Sequence, residues 1–451
     1  MIIPKTDKKN IVIWGFDNKS LEYYYALLEL ITDKNIFICN YVSQFESESN
    51  SLDRKILDYD FTITLENVFD MKNDVSIIIL NDYYNKFYSI VELGWIEENN
   101  IQIIPHLELV RIYATNICNA NCVMCDIGTA SKKGIDKLRV DTENEIPIST
   151  IEKLLESPLL KENKMKFSLG MVEPLIHRDI GKIVGLISSK GHSVAVITNG
   201  ILLERKAKEL IENNVDYVMV SIDGTEHIHD KIRGRKGIYR KAINGIKRLH
   251  EIQPNMKVVI NCCISNLNYG GLYDLIKGIE NEKLNVEVRF QHLYFVSKKM
   301  ADNHNSTVED YRLKQTQSSI GEESIATDID FYVLSQQIKK IKRIKLNYIS
   351  SIRFRPPYTE PIELSNYYNL SGQPLEGLDK CFFPYNQVSI KTNGDVVFHT
   401  RCYNYVIGNM LEKDINDIFN GNDANIFREI LKKNKYCFCA CTRCCGIMGG
   451  W

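Results

Sequence analysis

Between Glu108 and Phe290 the chain alternates short apolar runs with helix-like stretches six times, and this alternation constrains the fold more than any other feature. The runs are Val110 to Thr115, Lys166 to Gly170, Ser193 to Thr198, Tyr217 to Ile222, Val258 to Ile264 and Val286 to Phe290. Nearly continuous apolar strands of this kind are buried on both faces, as in a parallel sheet. The helical stretches include Ile151–Glu156, Ile180–Ser189, Glu204–Asn213, Tyr239–Glu251 and Tyr273–Glu280. Six consecutive pairs predict an α/β fold built on a partial (β/α)6 TIM-like barrel. Chemistry in that architecture sits at the C-terminal ends of the strands.

A chain of 451 residues is too long for one core, so the barrel needs neighbours. Residues 1–107 read as a small Rossmann-like α/β domain, with strands at Ile11 to Gly15, Ile36 to Cys39, Val75 to Leu80 and Ile101 to Ile104 and a helix from Leu21 to about Ile31. A dinucleotide site there would show G-x-G-x-x-G. The chain instead reads Gly15-Phe16-Asp17-Asn18-Lys19-Ser20, and Asp17 sets negative charge where a pyrophosphate belongs, which argues against nicotinamide binding and for a docking or substrate-presenting role. Residues 108–328 comprise the barrel and a polar linker from about 300. Residues 329–451 form a cysteine-rich third domain with a hairpin, Val388 to Lys391 and Val396 to Phe398 about Asn393-Gly394-Asp395. The basic run Lys339 to Lys345 is interleaved with Ile338, Ile341 and Ile344, as on a solvated helix face.

A net charge of -1 gives no general attraction to nucleic acid or anionic membranes. No stretch approaches the ~20 apolar residues that span a bilayer, and Met1 to Asn10 lacks a secretory signal's apolar core. A cytoplasmic location is therefore expected, where disulfides are rare. Thirteen cysteines need another account, and their crowding at 118–125 and 437–445 points to metal.

Cys118-Asn-Ala-Asn-Cys122-Val-Met-Cys125 directly follows the first barrel strand. Three thiolates from one short loop can grip a [4Fe–4S] cluster and leave one iron open, since such clusters normally take four cysteines. A zinc ion completed by a distant ligand is the alternative.

The CxxxCxxC loop after the first strand of a β/α barrel resembles the radical S-adenosylmethionine (SAM) superfamily. Further segments match in order over roughly residues 108–295. Gly170-Met171-Val172-Glu173-Pro174 stands where the family has GGEP, Thr198-Asn199-Gly200 ends the third strand, and Ser221-Ile222-Asp223-Gly224 ends the fourth and leads to Arg233-Gly234. Asn261 lies on the fifth.

The resemblance implies that the open iron chelates SAM, and that electron transfer yields a 5′-deoxyadenosyl radical that abstracts substrate hydrogen. It places Gly170, Met171, Val172 and Glu173 at the methionine amino group, Ser221 and Asp223 near the ribose with Asn199 close by, and Arg233 at the methionine carboxylate. Met124 occupies a position usually aromatic, and Met171-Val172 replace two glycines, leaving less room for backbone approach. Each segment also has a plain structural reading: Glu173 as a helix-start acid, Asn199-Gly200 and Asp223-Gly224 as turns, and Arg233 as a surface charge.

The tail, Cys437-Phe-Cys439-Ala-Cys441-Thr-Arg-Cys444-Cys445, together with Cys381 and Cys402, resembles the SPASM/twitch extensions that hold auxiliary [4Fe–4S] clusters. Cys381, Cys402, Cys441 and Cys444 would close one set. His399 stands where the extension usually has a cysteine about five residues past the hairpin glycine, so it is either a ligand or a hydrogen-bonded neighbour. Structural zinc is the alternative for the tail as a whole. Cys39, Cys262 and Cys263 read as buried thiols.

These readings predict a radical SAM enzyme that oxidises, epimerises or rearranges its substrate, with a [4Fe–4S] cluster, SAM and an auxiliary cluster as cofactors. The residue that quenches the product radical is not identifiable. An electron donor such as flavodoxin or ferredoxin is implied as partner. A small molecule, such as a sugar or activated metabolite, is favoured over a peptide, because residues 1–107 look parallel α/β rather than winged-helix. A peptide-modifying maturase is the first alternative, and a non-catalytic zinc or iron–sulfur scaffold or sensor is the second.

Overall fold

A computed structural model describes residues 101–125 and 145–448 apart from 321–322, 377 and 400–404. Before residue 101 it describes 7–14, 20, 23–24, 26–27, 30–31, 33–39, 62–63, 68, 71, 74–80, 86–87 and 90. The chain divides into two compact units, Met1–His106 and Leu107–Trp451.

The first unit is a parallel sheet of β1 (Asn10–Trp14), β2 (Asn35–Cys39), β3 (Thr62–Ile63), β4 (Val75–Ile79) and β5 (Ile101–Ile103), in the order β3-β2-β1-β4-β5. Order reverses between β1 and β4, the arrangement of a doubly wound fold. Every residue of β4 is buried, as a strand covered on both faces requires. The Gly15-to-Lys19 loop weighed for dinucleotide binding lies outside the described residues.

In the second unit, β6 (Leu109–Tyr113), β7 (Lys166–Gly170), β8 (Ser193–Thr198), β9 (Tyr217–Ser221), β10 (Lys257–Ile264), β11 (Val286–His292) and β12 (Ile349–Arg355) pair in parallel and in sequence order. The sheet is open: β12 pairs with β11 and not back to β6. Helices fill the connections with one apolar face each. Ile180–Ser189 buries Ile180, Ile183, Val184 and Ile187, and Ile238–Ile252 buries Ala242, Ile243, Ile246 and Leu249, at the i, i+3, i+4 spacing of an amphipathic helix.

Two features depart from the sequence expectation. A seventh parallel strand, β12, extends the series of six; its alternating polar residues (Ser350, Ser351, Arg353, Arg355) disguise it. The linker expected from about residue 300 begins instead as a helix, Lys298–Thr307. Ser297 caps it by accepting from the Met300 N–H, and it buries Met300, Ala301 and His304, too few apolar residues to give a visible period. The basic run lies on a helix, Phe331–Arg343, as far as Arg343, with Ile338 and Ile341 buried, while Ile344 and Lys345 follow its end.

The hairpin forms from β13 (Gln387–Ile390) and β14 (Asp395–Val397), followed by β15 (Gly408–Asn409). β13 pairs in parallel with β6, setting Ser389 beside Arg111, so the cysteine-rich segment continues the same ten-stranded sheet. This pairing brings the second cysteine group to the strand that precedes the first.

Candidate functional site

The first cysteine loop leaves the end of β6 and is pinned to the helix Glu226–Arg233. Asn121 N–H donates to Arg233 O at 3.0 Å, and Val123 N–H to Ile232 O at 2.9 Å. Gly234 ends that helix at φ 62°, and a Cβ there would stand 2.3 Å from Asn121 O. Only glycine meets both the left-handed backbone and this close approach. The thiols sit among donors: Ala120 N–H lies 3.4 Å from Cys118 Sγ, Asn199 Nδ2 3.8 Å from the same sulfur, and Arg233 Nη1 3.7 Å from Cys122 Sγ. Such donors favour thiolates, the form that binds metal. Burial pushes the Cys118 thiol up.

Glu173 is fully buried at the end of β7. Its Oε1 accepts from Thr198 Oγ1 at 2.7 Å and Leu175 N–H at 3.2 Å, and its Oε2 accepts from Asn199 N–H at 2.8 Å. It therefore caps the short helix Pro174–Ile176, as the plain structural reading had it, and also ties the ends of β7 and β8 together. Burial raises its pKa to about 7. Beside it Met171 holds φ 72°, the left-handed backbone that a glycine adopts without cost and that other residues adopt at about 1 kcal/mol or more. Strain of this kind persists where surrounding structure enforces it.

Arg233 reaches back from its helix to Asp223, with Nε 2.6 Å from Oδ2. Burial opposes its charge, but Asp223 and the Cys122 thiol more than compensate and hold it protonated. Asp223 is completely buried; its Oδ1 accepts from Cys263 N–H at 2.9 Å, and its own N–H donates to His229 Nδ1 at 2.9 Å. Burial lowers the His229 pKa to about 4, so the imidazole stays neutral. The carboxylate thus orients Arg233.

One cavity of about 300 Å³ gathers these parts. Its wall includes Cys118, Cys122, Cys125 and Met124 from the loop, Met171, Val172 and Glu173 after β7, Asn199 after β8, Ser221 and Arg233. Gly170 ends β7 behind that wall, and neither it nor Asp223 lines the cavity. Six lining residues were not anticipated as site residues: Arg111, Ala120, Ile197, Thr198, Tyr294 and Cys445. Arg111 carried a signal, a lone charge inside the apolar strand Leu109–Tyr113. It is buried, donates from Nε to Gln387 Oε1 at 3.0 Å, lies over the Phe383 ring and has an Nη2 without a hydrogen-bond partner. His399 also lines the cavity, next to Cys445.

The second cysteine group is buried and tighter. His399, Cys444 and Cys445 place ligand atoms within 4.8 Å of one another, with His399 Nε2 3.3 Å from Cys445 Sγ. Cys381 adjoins them: a Cβ on Gly446 would stand 2.7 Å from Cys381 Sγ and 3.8 Å from Cys444 Sγ. Soft thiolates with an imidazole suit iron–sulfur or zinc. Of the expected set, Cys444 is among the three converging ligands, Cys381 lies beside them at Gly446, Cys402 lies outside the described residues, and Cys441 is not among the three. The turn decides this difference: Cys444 N–H bonds back to Cys441 O, and the next residue, Cys445, faces His399. Cys437 and Cys439 bond elsewhere, to Phe438 O and Thr307 Oγ1. Cys39 and Cys262 are buried, and burial pushes the Cys39, Cys262 and Cys263 thiols up.

Comparison with known proteins agrees with this geometry. Residues 112–277 match the radical SAM superfamily, and residues 381–445 match SPASM, an iron–sulfur cluster-binding domain. Similar sequences include the Fe-coproporphyrin III synthase of Methanosarcina barkeri, 30% identical over 41% of this chain and 43% of that protein. The sporulation killing factor maturation protein SkfB of Bacillus subtilis is 28% identical over 37% and 38%, and the probable GTP 3′,8-cyclase of Methanococcus aeolicus is 31% identical over 38% and 54%. The matches thus span about half or less of these relatives' length. Among solved structures, Streptococcus suis SuiB bound to S-adenosylmethionine aligns with TM-score 0.50 and 17% identity over 76% of this chain and 72% of that one, a likeness of fold. Among the described residues no helix is long and apolar enough to cross a membrane.

Proposed function

Taking the chain as a radical SAM enzyme with a C-terminal SPASM iron–sulfur domain, we propose that it reductively cleaves SAM and uses the 5′-deoxyadenosyl radical to take hydrogen from a small-molecule substrate, which leaves oxidised. Cys118, Cys122 and Cys125 hold the [4Fe–4S] cluster, which supplies the electron for cleavage when bound. The chain's own residues bind and orient. Glu173 and the backbone of Met171 and Val172 receive the methionine amino group. Arg233 receives the carboxylate, a task suited to a planar bidentate donor. Asn199 and Ser221 serve the ribose, Met124 packs from the loop, and Asp223 positions Arg233. The remaining Arg111 donor suits an acidic substituent on the substrate, as an activated metabolite would carry.

The single observation behind this reading is that the three loop cysteines, the strand-end residues, and His399 and Cys445 of the second group share one cavity. A second metal group beside the substrate suits a net oxidation, because it can accept the electron left on the product. A small electron carrier such as flavodoxin or ferredoxin reduces the first cluster. A peptide substrate is the second reading, favoured by similarity to a maturation protein; the relatives named for coproporphyrin and GTP weigh toward small molecules.

The test is anaerobic reconstitution with iron and sulfide, reduction by dithionite in the presence of SAM, and addition of a deuterated cell extract split by size. Deuterium in 5′-deoxyadenosine from the small-molecule fraction is the expected result. Deuterium only from the peptide fraction favours the second reading, and no 5′-deoxyadenosine from competent protein overturns both.

A further inference from the structure

We propose that His399 is itself a ligand of the second iron–sulfur cluster, completing a set with Cys381, Cys444 and Cys445 and turning its imidazole corner toward the substrate cavity. The assignment rests on the SPASM reading of residues 381–445 and goes beyond it by naming a nitrogen ligand.

Three observations support it. First, His399 is held as ligands are held: it is 5% exposed, its ring packs on Phe383 at 5.2 Å, and its Nε2 points at Cys445 Sγ from 3.3 Å. Second, both ring nitrogens lie near one buried thiol, Nε2 3.3 Å and Nδ1 3.8 Å from Cys445 Sγ, and Gly446 serves the same group closely. Its N–H donates to Cys444 Sγ at 3.5 Å, and its missing side chain leaves the 2.7 Å approach beside Cys381 Sγ. Third, the hairpin delivers His399 to this place. β14 ends at Val397, β13 is fastened to β6, and the chain therefore carries residue 399 to the cavity wall that Cys445 shares. Cys381 joins the three converging ligands through its place at Gly446, and Cys441 is found neither among the three nor at Gly446.

A neutral imidazole in place of a thiolate removes one negative charge from the cluster environment. Histidine ligation raises the potential of an iron–sulfur centre, as it does in Rieske proteins. Buried Arg111, which feels Cys444 and Cys445, acts in the same direction. Both features fit a centre that receives an electron on the substrate side of the cavity.

The experiment uses the chain with Cys118, Cys122 and Cys125 all changed to Ala, reconstituted anaerobically so that only the second cluster is loaded. Pulsed electron paramagnetic resonance of the reduced cluster is recorded for natural protein and for protein labelled with 15N-histidine. A nitrogen coupling that changes isotope with the label, and vanishes in His399→Cys while the cluster remains, is expected. The His399→Cys cluster should also have a more negative midpoint potential. If the triple variant does not hold iron, the same labelled measurement on the holoenzyme with unlabelled SAM decides, because the SAM nitrogen is then a different isotope. An iron–sulfur signal without histidine coupling, or zinc in this group with no iron, overturns the proposal. Formation of 5′-deoxyadenosine by the holoenzyme is scored separately, so failure here is distinguishable from failure of the radical SAM reading.

Discussion

The two cysteine groups of this chain face the same cavity but are built differently. The first is a loop of three thiols at the end of β6, partly accessible, with surrounding donors from Ala120, Asn199 and Arg233. The second draws buried donors from distant segments of the fold, Cys381, His399 and the Cys444-Cys445 turn. A local set of three leaves a coordination position for a ligand, whereas a set closed by four protein donors suits electron transfer or structure. In the function proposed above, the first group carries the chemistry and the second accepts the electron.

The largest expected effect comes from breaking the first group. Changing Cys118, Cys122 or Cys125 singly to Ala should reduce 5′-deoxyadenosine formation to the level without protein, while iron analysis still finds metal at the tail. Next, Cys445→Ser should strip the second cluster, whereas Cys441→Ser should retain it, read as iron and acid-labile sulfide per chain. Asp223→Asn leaves Arg233 buried without its counter-charge and should cost about 3 kcal/mol. Chemical denaturation measures this, with loading of the second group unchanged.

A pH effect sharpens the contrast further. Burial holds Glu173 at about 7, and the N–H groups of an iron-bound amine donate strongly only to its ionised form. The ionised fraction rises about tenfold from pH 6 to pH 8, so SAM affinity of the loaded, unreduced protein should rise about tenfold, and Glu173→Gln should flatten the profile. For stability of the ligand-free protein the sign reverses. The folded carboxyl holds its proton more tightly than the unfolded one, so its contribution is full below about 4.5 and lost as pH climbs through about 7. The smallest effect is expected from Met171→Gly, which relieves the left-handed backbone and should change stability by about 1 kcal/mol or less, because glycine's chain entropy offsets the relief.

Much of the parallel series was legible because both-face burial writes itself as unbroken apolar runs. Lys166–Gly170 and Ser193–Thr198 have the bounds that the pattern predicts. β12 escaped because its polar residues break the run, and the helix Lys298–Thr307 escaped because it buries little. At the site, residues bound to strand ends could be anticipated, since a short motif fixes their place. Side-chain direction could not. Asp223 follows β9 but turns to Arg233 and the Cys263 N–H, away from the cavity. Adjacent Cys444 and Cys445 look equivalent in spacing, and only the turn that follows Cys441 determines which of them meets His399.

The central claim concerns one free coordination position on the Cys118-Cys122-Cys125 cluster, and magnetic resonance with isotope-labelled SAM addresses it directly. Reduced holoenzyme should show coupling from 15N in the methionine amino group and 17O in its carboxylate, and the triple alanine variant should show neither. A reduced, iron-loaded protein whose cluster signal is indifferent to labelled SAM would contradict the account.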